Sequence, residues 1–586
     1  MLSKTIGLSA LIVLTTTVAI LATTTTTTTN AASSQQSPTV KSWETRKPMY
    51  DRQEHRVGPL PWAAGEDPIL ESYAGNFPIR QWTKKDGSKA DAEMFYWFFP
   101  ALKPKVKNPP LIIWLQGGPG ASSMIGLFYE TGPIHVTEDL KLMRNNNTWA
   151  NEYSMLFVEQ PVGTGYSFVN QSGKKRTKHK TGSARGGDGE RKDDEGDSDD
   201  GDDTLGFDAD NDEEKDRDGS FEELDAELER DQEEEAAFFA TLPSSLPFDF
   251  KVAAASKRHG MRTKATNNTD EDPDAMYTKS GYVKDQRAVV RDMLVFLDQF
   301  YERYPEQQKA DLYIAGQSYA GKFIPSIAHA IMERNRKIKS KLPQSARGGA
   351  TETETAAEET IKTQTTPMQA VIPIKGISMG NSMTDPITQI QIHADHAFYL
   401  GLLTTLQADQ MREYQRNAVK LVEQGRFLDA NRFRGKIFNL FRNSTVQLNT
   451  FDIRKGSHGM NWKPMTALLN RREIKDSLNV FGPRKTYLLQ QKVSKEEVAR
   501  IELGRWDTEY RTDPEVKQAM RGDIMRSTKP LVADLLDNGI KVLAYQGIFD
   551  FRDAPAGSTR WIEEMEWKGR EEFALHKRTK MHLGSI

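Results

Sequence analysis

Short apolar runs alternate with amphipathic stretches along most of the 586-residue chain. The apolar runs have the length of buried strands, and the stretches between several of them repeat apolar positions with the period of a helix. This alternation predicts an α/β fold built on a mostly parallel sheet. The predicted strands are residues 94–99, 111–115, 155–159, 312–315, 371–377 and 542–545, and the clearest predicted helices are 285–304 and 322–338.

The order of these elements predicts how the chain is divided. The length exceeds that of one ordinary domain, which indicates a large core with insertions or a second domain. Residues 387–537, between the last two predicted strands, are mainly helical in pattern and rich in charge. We expect this block to form a helical cap over the sheet. The core is then predicted to consist of residues 40–171, 277–386 and 538–586.

Two further segments lack the apolar content of a core. Residues 172–276 begin with a basic cluster and turn acidic, with 26 acidic against 5 basic residues over 188–235. Such a run repels itself and buries too little apolar surface to fold, so we predict a disordered surface insertion there and a second one over 340–368. The stretch from Glu214 to Asp225 is similar to a calcium loop, but its first and twelfth positions are not the expected Asp and Glu. A solvated acidic run is the simpler interpretation.

Residues 1–30 indicate export from the cytoplasm. Lys4 precedes an apolar stretch over 6–22, and a threonine tract follows over 23–29. A basic start and a short apolar run are typical of a secretory signal peptide, with a signal anchor as the alternative. No later stretch has the length and hydrophobicity of a transmembrane helix. We therefore expect a protein of the secretory pathway without a stable membrane span.

Composition changes this picture in three ways. The net charge of −3 gives no reason to expect nucleic-acid binding. The chain has no cysteine, which excludes disulfides and thiolate metal sites. Four Asn-x-Ser/Thr sequons fit export and are candidate glycosylation sites, namely Asn146, Asn170, Asn267 and Asn443.

A serine turn follows the predicted strand 312–315. Residues 316–321 read Gly-Gln-Ser-Tyr-Ala-Gly and lead into a predicted helix. They are close to the G-x-S-x-G turn that raises a serine hydroxyl above the sheet of an α/β-hydrolase, although Ala320 fills the second glycine position and Gly321 comes one place later. Ser318 is the candidate nucleophile, and a chance turn of small residues is the alternative.

A glycine-rich segment follows the predicted strand 111–115. Residues 114–123 read Trp-Leu-Gln-Gly-Gly-Pro-Gly-Ala-Ser-Ser. In an α/β-hydrolase, the oxyanion hole combines the amide after the nucleophile with an amide from an early glycine-rich loop. The pattern therefore predicts that Tyr319 N–H and an amide of the Gly117–Gly118 turn face the substrate carbonyl. A plain tight turn is the alternative.

The rest of a catalytic triad is only partly visible. Asp550 comes just after the predicted strand 542–545, where the triad acid of this fold is expected, and Asp553 is its competitor. Either carboxylate could instead cap the helix that begins near Pro555. The histidines that follow are His576 and His582, and both read as surface residues, so no triad histidine is found.

Five segments together resemble the serine carboxypeptidases of the S10 family, and most of all the vitellogenic and vitellogenic-like branch. They are WLQGGPGASS (114–123), EQPVGTGYS (159–167), AGQSYAGKFIP (315–325), GNSMTDP (380–386) and YQGIFD (545–550). The resemblance implies an α/β-hydrolase fold and release of C-terminal amino acids from peptides, best at acidic pH. It also implies an extracellular, lysosomal or vacuolar setting, a possible homodimer, and no metal or organic cofactor.

The resemblance further implies roles for individual residues. Ser318 would attack the scissile carbonyl, Gly118 and Tyr319 would supply the oxyanion amides, and Asp550 would be the triad acid. The positions that hold the terminal carboxylate of the substrate correspond to Trp114, Gln116, Glu130 and Gln317.

Three departures from the family pattern affect these expectations. Gln317 stands where the family has a glutamate before its nucleophile, and the family's disulfides are absent. The last strand of the family and its Gly-His segment have no counterpart before about residue 580, which predicts an open sheet edge. Either the sequence lacks the end of a working carboxypeptidase, or the protein is an inactive relative that binds peptides. A lipase or esterase is a third interpretation, but carboxylate-binding residues do not suit a neutral ester.

Overall fold

The computed structural model describes residues 52–69, 71–83, 89–171, 276–340, 370–456, 461–480, 510–512 and 514–576. The predicted signal peptide, nearly all of the two predicted insertions, the calcium-like segment, Asn267 and His582 lie outside these residues. Within them, no helix is both long and apolar enough to cross a membrane.

Eight of the described strands form one mixed sheet. Its order is β1-β2-β6-β3-β8-β9-β10, and β7 pairs with β2 beside this path. Strands β6, β3, β8, β9 and β10 are parallel to one another, whereas β2 pairs antiparallel with β1, β6 and β7. The strand bounds are β1 Tyr73–Thr83, β2 Lys89–Phe99, β3 Leu111–Leu115, β6 Ser154–Val158, β7 Phe168–Gln171, β8 Leu312–Gln317, β9 Ile374–Gly380 and β10 Lys541–Tyr545; β4 Ile134–Val136 and β5 Leu142–Arg144 form a separate ribbon.

The apolar pattern explains why these strands form and where they lie. Every residue of β3 and β6 is buried, as expected for central strands covered on both faces. Strand β2 alternates instead, since Tyr96 and Phe98 face one hydrophobic cluster while Trp97 and Phe99 face the other. The sheet therefore separates two cores, and the prediction of an α/β fold with a mostly parallel sheet is confirmed.

Helices cover the sheet, and several of them lie in the described part of the segment between β9 and β10. They are α1 Gln286–Arg303, α2 Ala320–Ser340, α3 Pro386–Ile390, α4 His393–Tyr399, α5 Thr405–Glu423, α6 Phe427–Ser444, α7 Lys463–Asn470, α8 Arg472–Ser477, α9 Pro514–Met520, α10 Lys529–Asp537, α11 Pro555–Glu564 and α12 Arg570–Leu575. Local signals set several starts: Asp285 caps α1, and Thr404 with Gln407 forms a capping box on α5.

Several predicted bounds differ from the observed ones. Strand β9 begins and ends three residues later than predicted, because residues 371–373 precede its pairing with β8. Strand β1 was not predicted, since Pro78 interrupts its pattern; the pairing with β2 shifts register there. Met276 and Ser340, the residues at the inner borders of the two predicted insertions, are among the described residues. Among the described strands, β10 lies at the sheet edge and pairs with β9 alone.

An aromatic contact joins the helices between β9 and β10 to the loop after β10. The Phe551 ring stacks on Phe441 of α6 with centroids 3.7 Å apart, and Phe551 is fully buried. Its backbone N–H donates to the Thr450 carbonyl oxygen at 2.9 Å. Because Phe551 follows Asp550 directly, this packing also sets the position of the candidate triad acid.

We predict that Phe551→Ala lowers the free energy of unfolding by about 3–5 kcal/mol, because it removes a buried ring and leaves a cavity. Tyr399→Ala is the control, since Tyr399 is 81% exposed, and we expect it to change stability by less than about 0.5 kcal/mol. Urea unfolding of both variants measures the difference. Equal stability of the two variants would contradict the role given to this contact.

Candidate active site

The carboxyl ends of the parallel strands meet at one edge of the sheet. Strand β3 leads into the glycine-rich loop, β8 into Ser318, β9 into Asn381, and β10 into the loop that carries Asp550. In open α/β sheets this edge is where ligands bind, because loops from neighbouring strands converge there. Four distant parts of the sequence are thus brought together by strand order alone.

Ser318 occupies a sharp, left-handed turn. Its φ is +58°, a conformation that residues other than glycine seldom adopt. The turn is held from both sides. Ser318 N–H donates to the carbonyl oxygens of Gly380 and Asn381 at 3.0 and 3.1 Å, and its own carbonyl accepts from Gly321 and Met383 N–H at 2.9 and 3.0 Å. The structure therefore has the strand–turn–helix arrangement that a nucleophilic serine requires.

The glycine-rich loop lies directly against this turn. A Cβ on Gly117 would be 2.5 Å from the Tyr319 amide nitrogen and 2.9 Å from Ser318 Cβ, so only glycine fits there. Gly118 has φ of +104°, which also favours glycine. The loop and the Tyr319 amide thus border the same space beside Ser318, as an oxyanion hole requires.

The side chain of Tyr319 is held by a buried polar group. Its hydroxyl donates to Asp523 Oδ2, and Gln286 Nε2 donates to the same oxygen at 2.7 Å. Lys322, in the first turn of α2, donates to the Asp523 carbonyl oxygen, and its Nζ lies 3.7 Å from Asp523 Oδ2. Burial lowers the pKa of Lys322 to about 8. This group joins the residue after the nucleophile to the segment that follows α9.

Asp550 is buried, and its carboxylate accepts one hydrogen bond from the end of β9 and one from its own turn. Asn381 Nδ2 donates to Asp550 Oδ2 at 2.6 Å, and the backbone N–H of Asp553 donates to Oδ1 at 3.1 Å. Burial raises the pKa of Asp550 to about 6, and the hydrogen bond from Asn381 opposes that rise. Asp553 therefore supports Asp550 through its backbone. Because Asn381 also accepts from Ser318 N–H, it connects the serine turn to this carboxylate.

Histidines do not complete this arrangement in the part of the chain that the structure describes. None of those described contacts Asp550: they are His55, His135, His329, His393, His396 and His576. His393 contacts the same loop, but its Nε2 lies 2.9 Å from the Arg552 carbonyl oxygen. His576 is exposed after α12.

The four residues predicted to hold a carboxylate form one hydrogen-bonded chain. Trp114 Nε1 donates to Gln116 Oε1 at 3.1 Å, and Gln116 Nε2 donates to Glu130 Oε1 at 3.5 Å. Gln317 Nε2 donates to the same Glu130 oxygen at 2.5 Å. Glu130 ends a π-helical turn, Gly126–Glu130, that begins beside the Trp114 ring.

Burial raises the pKa of Glu130 to about 7, against the effect of the bonds from Gln116 and Gln317. Its second oxygen, Oε2, is buried and has no hydrogen-bond partner in the described structure. A protonated carboxyl group could use that oxygen to donate to an incoming carboxylate. Gln317 contacts Glu130 and directly precedes Ser318, so the Glu130 carboxyl group lies near the candidate nucleophile.

Glu159 is a buried acid whose role the sequence did not indicate. Its Oε1 accepts from Ser122 Oγ at 2.8 Å and from the Tyr510 hydroxyl at 2.6 Å, and its Oε2 accepts from Ser123 N–H at 3.2 Å. Burial raises its pKa to about 7. Glu159 thereby fixes the end of the glycine-rich loop against Tyr510. The available signal was its place after β6, at the same sheet edge.

Asn381, Asp523 and Lys322 were likewise missed as parts of this site. Asn381 lies in the segment GNSMTDP just after β9, and a polar residue at that strand end was the available signal. Asp523 is some 200 residues from its partners, which no local pattern can indicate.

Of the sequons, Asn146 and Asn443 are exposed.

We predict that the protein is more stable at pH 5 than at pH 7.5. Glu130, Glu159 and Asp550 have pKa values of about 7, 7 and 6, above ordinary values of 4.5, 4.5 and 3.8. Between these limits each of the three acids binds more protons in the folded state than in the unfolded state, so its contribution to the free energy of unfolding falls as pH rises. Buried His393, whose pKa is lowered to about 4, acts in the opposite sense up to its ordinary value of 6.5, and we expect the three acids to outweigh it. Each unit of pKa difference corresponds to about 1.4 kcal/mol.

Urea unfolding from pH 4.5 to 8 measures this dependence. Glu159→Gln should flatten the curve, because an amide does not titrate. The exposed Glu572→Gln is the matched control and should leave the slope unchanged. A stability that rises between pH 5 and 7.5 would contradict the prediction.

Comparisons with known proteins agree with this geometry. A family profile described as "Serine carboxypeptidase" matches residues 70–185, 275–346 and 354–585. The chain is 27% identical to "Probable serine carboxypeptidase CPVL" of Dictyostelium discoideum over 487 residues, which are 82% of this chain and 65% of that protein. It is 25% identical to "Venom serine carboxypeptidase" of Apis mellifera over 517 residues, 88% of this chain and 76% of the other.

A solved structure shares the fold. The crystal structure of Kex1(delta)p, a prohormone-processing carboxypeptidase from Saccharomyces cerevisiae, matches with a TM-score of 0.55 and 20% identity over 89% of this chain and 83% of that one. At this identity the match shows the α/β-hydrolase fold. The family profile covers well over half of the sequence. The chain therefore belongs to the serine carboxypeptidase family, S10.

Proposed function

We propose that this protein is a serine-type carboxypeptidase that releases C-terminal amino acids from peptides through an acyl-enzyme. The observation that carries the proposal is the position of Glu130. A buried carboxyl group with a raised pKa and a partner-free oxygen is hydrogen-bonded to the residue before Ser318. A site that binds a terminal carboxylate beside a nucleophile selects the last peptide bond of a chain.

In this mechanism Ser318 Oγ attacks the carbonyl carbon of the last peptide bond. The Gly118 and Tyr319 amides stabilise the negative charge that develops on the carbonyl oxygen, and each such donor can contribute about 3 kcal/mol. The C–N bond breaks, the terminal amino acid leaves with a proton, and water then hydrolyses the Ser318 ester. An imidazole oriented by Asp550 would move the protons. No histidine in the described ranges contacts Asp550.

A second candidate is a peptide-binding protein without catalysis. The contact between Asn381 Nδ2 and Asp550 Oδ2 favours it, because an amide donates to the carboxylate oxygen that an imidazole would otherwise use. The carboxylate-binding residues would be retained in such a protein. Both candidates bind peptide C-termini, and only the first cleaves them.

Export and glycosylation are part of the same proposal. The apolar N-terminal stretch and the exposed sequons Asn146 and Asn443 support passage through the secretory pathway. The acidic pH of a lysosome or vacuole would keep Glu130 protonated, which suits carboxylate binding.

We predict that Ser318→Ala lowers kcat/KM for a blocked dipeptide at least about a thousandfold, because the nucleophile is removed. Peptide affinity should stay within a few-fold. Ser326→Ala, on the helix that follows the Ser318 turn, is the control, since its hydroxyl donates to the Lys322 carbonyl oxygen at 2.7 Å. Release of the last residue followed by mass spectrometry, with calorimetric binding in parallel, separates the two candidates. Binding without cleavage in the wild type would favour the second.

We predict that peptide affinity persists from pH 5 to 7 and weakens above it. Gln317 donates at any pH, and Glu130 stays protonated until its pKa of about 7. Gln317→Glu places a second carboxyl group against Glu130. The pair loses its first proton at a lower pH than Glu130 does in the wild type, so the peptide affinity of the variant should fall between pH 5 and 7. Titration of the peptide and its C-terminal amide measures this shift.

The amide peptide controls for effects unrelated to the carboxylate, and Gln410→Glu on the exposed surface of α5 controls for added charge. A steep loss of wild-type affinity between pH 5 and 7 would contradict the role of Gln317.

A further inference from the structure

A second cluster of ligand-type side chains lies on the outer side of α2, away from the candidate active site. His329 and Glu333 are four residues apart on this helix, so they lie on one face, and Asp534 reaches them from α10. One ligand atom from each residue lies within 4.8 Å of the other two. His329 Nε2 and Asp534 Oδ2 are 2.9 Å apart. We propose that these three residues form a site for a divalent ion of the Zn²⁺ type.

The donor set determines which ion fits. One imidazole nitrogen and two carboxylate oxygens suit Zn²⁺, which takes nitrogen and oxygen ligands at about 2.0–2.2 Å. Ca²⁺ and Mg²⁺ prefer oxygen ligands alone. Three protein ligands leave a fourth position for water. The site is accessible to an ion because the side chains of His329, Glu333 and Asp534 are 27%, 32% and 44% exposed.

Outer contacts hold the two carboxylates in place. Asn538 Nδ2 donates to Asp534 Oδ1 at 3.1 Å, which leaves Oδ2 directed to His329. Arg336 donates to Asn538 Oδ1 at 3.0 Å and to Glu333 Oε1. Such partners orient metal ligands in known sites. Arg336 offsets one of the two carboxylate charges, so one negative charge remains to attract a cation.

A plain ion pair between His329 and Asp534 is the competing explanation. In the ion-free protein His329 Nε2 and Asp534 Oδ2 lie 2.9 Å apart, within hydrogen-bond distance. A metal ion would bind the Nε2 lone pair in place of this contact. The ion pair requires neither Glu333 nor a geometry shared by three residues. The role of Glu333 therefore distinguishes the two explanations.

The position of the site indicates what a bound ion would do. Helix α2 follows the turn of Ser318, and α10 leads into β10 and the loop of Asp550. His329 is nine residues into α2 from Ala320, about 14 Å along the helix axis. An ion bound by both α2 and α10 would stabilise the packing of these two helices. The first follows the candidate nucleophile, and the second precedes the strand that leads to the candidate acid. It would not touch substrate.

Isothermal titration of the full chain with ZnCl₂, after treatment with a chelator, tests the proposal. We expect one saturable Zn²⁺ site in the wild type. The Zn²⁺ affinity should be at least about tenfold weaker in Glu333→Gln, Asp534→Asn and His329→Ala, and about tenfold weaker in Asn538→Ala. Ca²⁺ should not compete. The control is His576→Ala, which removes an exposed histidine elsewhere and should bind as the wild type does.

Thermal unfolding with and without Zn²⁺ gives a second readout. Each variant is compared with itself, so a stability change from the mutation cancels. The wild type and His576→Ala should gain Tm with Zn²⁺, and Glu333→Gln and His329→Ala should not. Absence of a saturable site in the wild type, or equal Zn²⁺ affinity in Glu333→Gln, would overturn the proposal.

Discussion

The left-handed turn at Ser318 is the constraint on which the rest of the site depends. A serine at φ of +58° is held there only because neighbouring backbone groups over-determine it. Two carbonyl oxygens at the end of β9 accept from the Ser318 N–H, and the N–H groups of Gly321 and Met383 donate to its carbonyl oxygen. Gly117 then has to be glycine, because the loop after β3 packs against the same turn. One strained residue thereby fixes the relative positions of three strand ends.

Burial of acidic groups is the second common feature. Glu130, Glu159 and Asp550 lie at or near the carboxyl edge of the sheet, and burial raises the pKa of each. Each accepts hydrogen bonds from neutral donors, and the Arg552 charge also acts on Asp550 and opposes the rise of its pKa. This arrangement costs little while the groups are protonated and more once they ionise. These three buried acids therefore destabilise the folded state least at acidic pH.

The segments between β9 and β10 take part in the site and do not only cover it. Asp523 accepts a hydrogen bond from the hydroxyl of Tyr319. The Tyr510 hydroxyl donates to Glu159, which also accepts from Ser122 at the end of the glycine-rich loop. Phe551 packs on α6 beside Asp550. Movements of these helices would therefore reach the nucleophile, the oxyanion loop and the acid together.

The sequence by itself determined the parallel sheet, the serine turn, the glycine-rich loop and the family. Those features are local, because an apolar run or a tight turn depends on neighbouring residues. The family is indicated by five short segments and their order along the chain. Tertiary structure decided that Asn381 would contact Asp550, that Glu159 would meet Tyr510, and that α2 and α10 would bring His329 to Asp534. It also decided the bounds of β9, which lie three residues later than the apolar pattern predicted. The bounds of a strand depend on its pairing, here with β8, and not on hydrophobicity alone. Contacts between side chains far apart in sequence have no local pattern, so only the folded arrangement of strands and helices could reveal them.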